Sequence, residues 1–236
     1  MLQLSSAILA TAAMARACSS LASRSPNFRL PASCSTLRSA LQIAERAFTA
    51  QGVPEADLSA QYLLARAAGF SSSRAELALR LDRPLPAEAR AQFETMCEQR
   101  LQRTPVQYIL GDWDFHELVL TLRPPVLIPR PETEQLVELV LQAHAAHQVQ
   151  LATGGTARSE TPATASSADV DPAAARGLRI LDVGCGSGAI GLALLHQMPA
   201  AECVGLDVRP EAADLAAFNA EALGLDDRYH SIMVAG

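Results

Sequence analysis

The sequence predicts an α/β fold in which a small all-helical domain is followed by a doubly wound parallel sheet. Three observations support this prediction. Apolar residues recur at helical spacing over residues 36–104, a short β-prone segment follows, and strand and helix patterns then alternate over residues 178–235. The chain has 236 residues, of which 49% are hydrophobic and 19% charged, which is enough to bury the cores of one or two domains.

Residues 1–35 are predicted to be a targeting segment and not part of the fold. They are rich in Ser, Ala and Arg and contain no acidic residue, which is the composition of a mitochondrial transit peptide. A disordered N-terminus and a secretory signal are the alternatives, although no positive charge precedes the apolar stretch at residues 2–14. The composition therefore predicts a protein of the mitochondrial matrix whose fold begins at Thr36.

Residues 36–104 are predicted to form four short amphipathic helices. Gly52 and Gly69 end helical segments, because a glycine commonly follows the last helical turn. Pro54 and Pro86 stand where a first helical turn tolerates proline. Such helices can bury one another's apolar stripes, so this segment predicts a helical bundle and by itself indicates no chemistry.

Residues 105–126 are predicted to form a β-hairpin that links two domains, because β-prone runs at residues 107–110 and 118–122 flank a glycine and two aromatic residues. The second domain then spans residues 127–236. It is interrupted at residues 148–176 by an insertion rich in Ala, Thr, Ser and Gly. We predict this insertion to be mobile, since it holds too little apolar surface to offset the entropy of ordering it.

The composition excludes several classes of function. All 19 basic residues are Arg, which excludes mechanisms that need a lysine, including the phosphate-binding P-loop and Schiff-base chemistry. The formal net charge of -6 argues against a broad nucleic-acid surface, and no apolar run is long enough to predict a membrane span. The five cysteines form no Cys-x-x-Cys pair, and His144 and His147 have no third ligand nearby, so no metal site is predicted.

The chemistry is predicted to lie in a strand, a glycine-rich loop and a helix. A buried-strand pattern at residues 178–183 leads into the loop, and an apolar helix follows it. Glycines let the backbone turn sharply and let a ligand lie against the main chain. The next strand ends in Asp207, whose carboxylate can accept hydrogen bonds from two ribose hydroxyls. The predicted ligand-binding residues are Gly184, Cys185, Gly186, Ser187, Gly188 and Asp207, and no catalytic residue is assigned.

Two classes of ligand fit the glycine spacing. Gly184-x-Gly186-x-x-Ala189 also matches a dinucleotide fingerprint, so glycine counting alone leaves a nicotinamide cofactor open. Asp182 before the loop and Gly188 at its end complete the pattern Asp-x-Gly-x-Gly-x-Gly, which is typical of S-adenosylmethionine sites. We therefore favour S-adenosylmethionine as the cofactor. A glycine turn without any ligand is the remaining interpretation.

The order and spacing of four segments resemble the HemK/PrmC family of glutamine methyltransferases, and its animal-type mitochondrial members most of all. The segments are residues 105–111, Phe115, residues 127–134 with the string Ile-Pro-Arg-Pro-Glu-Thr-Glu, and residues 180–188. The resemblance extends over residues 36–228 and is interrupted by the insertion.

This resemblance implies an enzyme with an incomplete Rossmann-like, class I S-adenosylmethionine-dependent methyltransferase domain. Its reaction would be the N5-methylation of the glutamine in the Gly-Gly-Gln motif of peptide-chain release factors. By the same resemblance, the helical domain docks the release factor, the loop from Gly184 to Gly188 lines the cofactor, and Asp207 binds the ribose.

One departure from the family pattern concerns the substrate amide. The family holds this amide with an Asn-Pro-Pro-Tyr motif, whereas the two asparagines here, Asn27 and Asn219, precede Phe28 and Ala220. An amide nitrogen is a poor nucleophile and must be held about 3–3.5 Å from the methyl group that it attacks. We therefore expect the 236-residue chain to be C-terminally truncated before this motif and impaired in catalysis.

Three other functions stay open at this stage. A nucleic-acid adenine N6-methyltransferase shares an Asn-Pro-Pro type of motif, but the acidic charge speaks against it. A non-catalytic module would bind the release factor without turnover. An NAD-dependent oxidoreductase would be stabilised by NAD and not by S-adenosylmethionine.

Overall fold

The computed structural model describes residues 27–70, 74–154 and 177–235. The chain divides into two compact units, one up to Leu110 and one from Gly111 onward. Most of the predicted targeting segment and residues 155–176 of the predicted insertion lie outside the described residues. In the described part, no helix is both long enough and apolar enough to cross a membrane.

The first unit is built from helices. They are α1 (Leu37–Ala50), α2 (Ala56–Ala67), α3 (Arg74–Ala78), α4 (Ala87–Leu101) and α5 (Val106–Leu110). Thr36 caps α1, because its hydroxyl oxygen accepts a hydrogen bond from the Ser39 amide at 3.2 Å. The fully buried core side chains of this unit include Leu37, Phe48, Leu63, Leu64, Leu77 and Phe93. Each of them stabilises the unit by roughly 1.5–3 kcal/mol through burial.

The helical unit begins before Thr36, and this differs from the predicted boundary at residue 35. Phe28, Leu30 and Cys34 are buried. The Phe28 ring packs edge-on against Phe93 of α4, with ring centroids 6.4 Å apart. The Leu30 amide donates a hydrogen bond to the Glu94 carboxylate at 3.0 Å. The composition of residues 1–35 does not reveal this packing, because its partners lie on a helix about sixty residues further along the chain.

A helix replaces the first strand of the predicted hairpin. Residues 107–110 fall within α5, although their side chains are β-prone. Val106 and Leu110 stand four positions apart and are both buried, so a helical turn places them on one face. The Arg66 guanidinium donates a hydrogen bond to the Leu110 carbonyl at 3.0 Å, which satisfies the end of this short helix.

The second unit opens with the antiparallel hairpin of β1 (Asp112–Phe115) and β2 (Leu118–Thr121). Helix α6 (Glu132–Gly154) follows and continues past Gln148, so the helix extends into the segment that was predicted to be a mobile insertion. The hairpin is therefore shorter than predicted, and the helix after it is longer.

The centre of the second unit is a parallel sheet of β3 (Arg179–Val183), β4 (Glu202–Asp207) and β5 (Tyr229–Met233), in that order. Helices α7 (Ala189–Gln197) and α8 (Pro210–Ala222) connect the strands. Parallel strands joined by crossover helices confirm the predicted α/β fold.

The two faces of this sheet differ in burial. Asp182, Cys203 and Tyr229 are buried, whereas the residues next to them in the chain are exposed or half-buried. On the opposite face, Leu181 is 62% exposed and Val183 is 74% exposed. The carboxyl ends of β3 and β4 meet at the glycine loop, which is where a parallel sheet binds its ligand.

Candidate cofactor site

The glycine loop between β3 and α7 needs its glycines for conformational reasons. Gly184, Gly186 and Gly188 have φ angles of +79°, +56° and +80°. A residue with a Cβ atom at such an angle costs roughly 1–2 kcal/mol, so each of the three positions favours glycine. The three glycines that the sequence pattern singled out are therefore the residues at which the backbone turns.

Main-chain hydrogen bonds fix the loop to the end of the neighbouring strand. The amides of Gly184 and Cys185 both donate to the Leu206 carbonyl, at 2.7 and 3.0 Å. The Gly188 amide donates to the Cys185 carbonyl at 2.8 Å, which closes the turn before α7. These bonds hold the loop against the carboxyl end of β4.

Asp207 faces this loop from the tip of β4. Its Oδ2 atom accepts a hydrogen bond from the Gly186 amide at 3.0 Å, and its Oδ1 atom accepts one from the Arg209 amide at 3.0 Å. An ionised carboxylate has about four acceptor sites, so two remain for a vicinal diol such as a ribose. The geometry thus brings the predicted loop and the predicted acid together.

The outer side of the loop is open. A Cβ atom built on Gly184 would meet no described atom within 4 Å, and one built on Gly186 would meet only Val126 Cγ1, at 4.0 Å. No neighbouring side chain among the described residues therefore fills the bend, and a ligand could lie against its main chain. Val126 stands beside the loop because it packs with Ala212 and Leu215 of α8.

Cys185 and Ser187 point away from this open side. Their side chains are buried, so they can serve a ligand only through their main-chain groups. Burial raises the pKa of the Cys185 thiol, a hydrogen bond with Tyr229 opposes this shift, and the nearby Asp182 and Asp207 carboxylates add to it. The thiol is therefore held neutral and is unsuited to nucleophilic chemistry.

Asp182 lies beneath the loop. Its Oδ2 atom accepts a hydrogen bond from the Gly191 amide of α7 at 3.3 Å. Burial raises its pKa, the Gly191 hydrogen bond opposes the shift, and the charge of Asp207 adds to it. The sequence pattern included Asp182 only as part of the fingerprint, and the structure gives it a role in joining β3 to α7.

Asn219 is a residue of the site that the sequence did not reveal. Its side chain is buried on α8, and its Nδ2 atom donates to the carbonyls of Ser187 and Thr121 at 2.9 and 3.1 Å. Its Oδ1 atom accepts a hydrogen bond from the Thr121 amide at 2.9 Å. One side chain therefore ties the glycine loop to the hairpin. The sequence contains one signal for this role, an amide side chain on the apolar, alanine-rich face of α8. A polar group buried on such a face needs hydrogen-bond partners.

Family comparisons agree with this geometry. A profile described as a methyltransferase domain matches residues 174–231, and one described as the PrmC N-terminal domain matches residues 39–111. The α/β unit is therefore a methyltransferase domain, as the alternation of strands and helices and the glycine loop predicted.

Three curated relatives match most of this chain, and all carry the name release factor glutamine methyltransferase. The human relative, named with the prefix MTRF1L, is 38% identical over 181 residues, which cover 77% of this chain and 47% of the relative. The relative from Chlorobaculum tepidum is 34% identical, with coverages of 77% and 53%. The relative from Agrobacterium fabrum is 34% identical, with coverages of 84% and 59%.

These matches confirm the resemblance to the HemK/PrmC family that the motifs indicated. It spans about half the length of the curated relatives that it matches.

Proposed function

We propose that the protein transfers a methyl group from S-adenosylmethionine to the side-chain amide of the glutamine in the Gly-Gly-Gln motif of peptide-chain release factors. The observation that carries the proposal is the open loop of three positive-φ glycines, hydrogen-bonded to Asp207 at the adjacent strand tip. The names of the relatives in the same family support the substrate.

The described residues fit the cofactor that we propose. S-adenosylmethionine carries a ribose, an ammonium group and a carboxylate, and it supplies a methyl group on a sulfonium. The free acceptor sites of Asp207 suit the ribose hydroxyls, and the open main chain from Gly184 to Gly186 suits the amino-acid end. Cys185 and Ser187 would contribute main-chain groups only, because their side chains are buried.

The helical unit is proposed to dock the release factor, and the protein is proposed to act in the mitochondrial matrix. The match of residues 39–111 to the PrmC N-terminal domain supports the first statement. The Ser-, Ala- and Arg-rich, acid-free composition of the first residues supports the second, together with the similarity to the human relative. The net charge of -6 suits a protein partner better than direct contact with nucleic acid.

Calorimetric binding of S-adenosylmethionine and of NAD tests the cofactor. We expect the chain to bind S-adenosylmethionine, and we expect Asp207→Asn to weaken this binding by about tenfold to a hundredfold. Hydrogen bonds to a charged group are worth about 1.5–3 kcal/mol, which corresponds to this range. Asp214→Asn, at an exposed position on α8, is the matched control and should bind as the wild type does. Binding of NAD in place of S-adenosylmethionine would contradict the proposal.

Transfer of a labelled methyl group to a release factor tests the substrate. Label should enter a factor with an intact Gly-Gly-Gln motif and not one in which the glutamine is replaced by Ala. Because the sequence lacks the Asn-Pro-Pro-Tyr motif, we predict that this transfer is slow. Transfer at a rate typical of the family would show that prediction to be wrong and would still support the proposed function. Capture of the factor without any transfer would favour a binding module instead.

A further inference from the structure

Tyr229 lies beneath the glycine loop and has no role in the site described so far. It is the first residue of β5, where it pairs in register with Cys203 of β4, and it is 3% exposed. Its side chain lies on the buried face of the sheet and reaches the space between β4, α7 and the end of the loop.

Three glycines surround the Tyr229 side chain and leave the space that it occupies. A Cβ atom on Gly205 of β4 would overlap the Tyr229 hydroxyl and lie 2.9 Å from Cζ. A Cβ atom on Gly191 of α7 would lie 2.8 Å from Cε2, and one on Gly188 would lie 3.2 Å from the hydroxyl. Gly191 and Gly205 are therefore required for space and not for a left-handed backbone conformation.

The hydroxyl group of Tyr229 stabilises the packing beneath the loop less than the ring does. Its oxygen is buried and forms no well-aligned hydrogen bond among the described residues, and the Cys185 thiol beside it is only a weak partner. Burial raises the pKa of this hydroxyl well above its ordinary value, with the nearby Cys185 adding to the shift, so the group stays neutral. Because a thiol is a weak partner for a buried hydroxyl, the ring accounts for most of the benefit of a tyrosine at this position.

We propose that Tyr229 is a positioning residue. Its ring supports the glycine loop in the conformation in which the loop main chain contacts the cofactor. Hydrogen bonds to Leu206 and Asp207 attach the loop to the carboxyl end of β4. Glycines are otherwise free to adopt many conformations, so a loop with three of them needs a support on its inner side. The inference rests on the proposed function for the identity of the cofactor.

Replacing the ring tests this role. Tyr229→Val keeps a strand-forming residue but leaves a cavity under Gly188 and Gly205, into which the loop can move. If the loop then populates its binding conformation about a tenth of the time, S-adenosylmethionine binds about tenfold more weakly. Tyr229→Phe keeps the ring and removes only the hydroxyl with its weak thiol partner, so it should bind as the wild type does. Leu195→Ala, a buried truncation at the far end of α7, is the control for lost stability alone.

Amide hydrogen exchange of the ligand-free protein gives a second measurement that does not depend on the cofactor. We expect the peptide covering residues 183–190 to exchange faster in Tyr229→Val than in Leu195→Ala, at temperatures where both variants are folded. Equal affinity and equal loop exchange in Tyr229→Val and the wild type would overturn the inference. So would an equal loss of affinity in Leu195→Ala. Failure of the wild type to bind S-adenosylmethionine would instead refute the proposed function, and loop exchange would still decide the role of Tyr229.

A paired substitution covers the case in which Tyr229→Val does not fold. Gly205→Ala alone should prevent the ring from seating, because its new methyl group overlaps the Tyr229 hydroxyl. Combining it with Tyr229→Val should recover part of the stability that Gly205→Ala loses, since the valine leaves room for that methyl group. Simple additivity of the two losses would contradict the packing on which the inference depends.

Discussion

Asn219 connects two parts of the second unit, and replacing it by Ala should be costly for stability. The substitution removes three hydrogen bonds, which join Asn219 to the amide and carbonyl of Thr121 and to the carbonyl of Ser187. Each buried polar group left without a partner costs about 1–3 kcal/mol. Thr121 is half-buried, so water can replace part of its loss. We therefore expect a loss of about 2–3 kcal/mol in the free energy of unfolding.

The assay is urea denaturation followed by tryptophan fluorescence. The chain has a single tryptophan, Trp113, which lies on β1 opposite Leu120 of the hairpin. Its emission therefore reports directly on the element that Asn219 anchors. Circular dichroism of the same samples follows the helices of both units, and the two transitions should coincide if the whole chain unfolds as one.

Ser231→Ala is the matched control for this experiment. The Ser231 hydroxyl donates one hydrogen bond, at 2.8 Å, to the Ala213 carbonyl of α8. Losing one such bond should cost about 1 kcal/mol. If Asn219→Ala loses no more stability than Ser231→Ala, the amide does not tie the hairpin to the loop, and our account of its three bonds is refuted.

Two further predictions concern charged groups. Arg228→Ala should lower the free energy of unfolding by about 1–3 kcal/mol in the same assay, because it removes the charged Nη1 donor that contacts three carbonyls at the end of α7. Asp182→Asn should keep the Gly191 bond and remove a buried charge whose pKa the fold raises. A raised pKa means that stability is lost as pH increases through the folded value, so melting curves across acidic and neutral pH should show the wild type weakening relative to Asp182→Asn. A constant difference between the two curves would contradict this assignment.

The conformation of the glycine loop could be predicted because its determinants are local. A backbone position with positive φ favours glycine at that same position in the sequence, as at Gly184, Gly186 and Gly188. Asp207 could be placed beside them because strand periodicity locates the tips of consecutive parallel strands at one edge. The α/β fold followed from the same alternation of short-range patterns.

The residues that support the loop could not be predicted, because their partners are distant in the sequence. Asn219 bonds to Thr121, which is 98 positions away, and nothing in the local pattern marks that pairing. Tyr229 packs among glycines of β4 and α7, and no local sequence pattern marks that packing. The burial of Phe28 was missed for the same reason, since its partner Phe93 lies on another helix. The β-propensity of residues 107–110 predicted a strand, and this prediction was wrong because the burial of Val106 and Leu110 favours a helical turn.

The all-arginine composition has a structural consequence that reaches beyond the exclusion of lysine chemistry. Arg103 donates to the carbonyls of Gln51 and Gly52 at 2.7 Å or less, which closes the end of α1. Arg90 likewise uses both terminal nitrogens to bind carbonyls of the segment before Thr36. Arg228 contacts three carbonyls at the end of α7 from Nη1 alone, each at 3.2 Å. A guanidinium presents several donors in a fixed plane, whereas an ammonium is a compact point charge. The end of α1 and the segment before Thr36 therefore depend on arginine for its shape as well as for its charge.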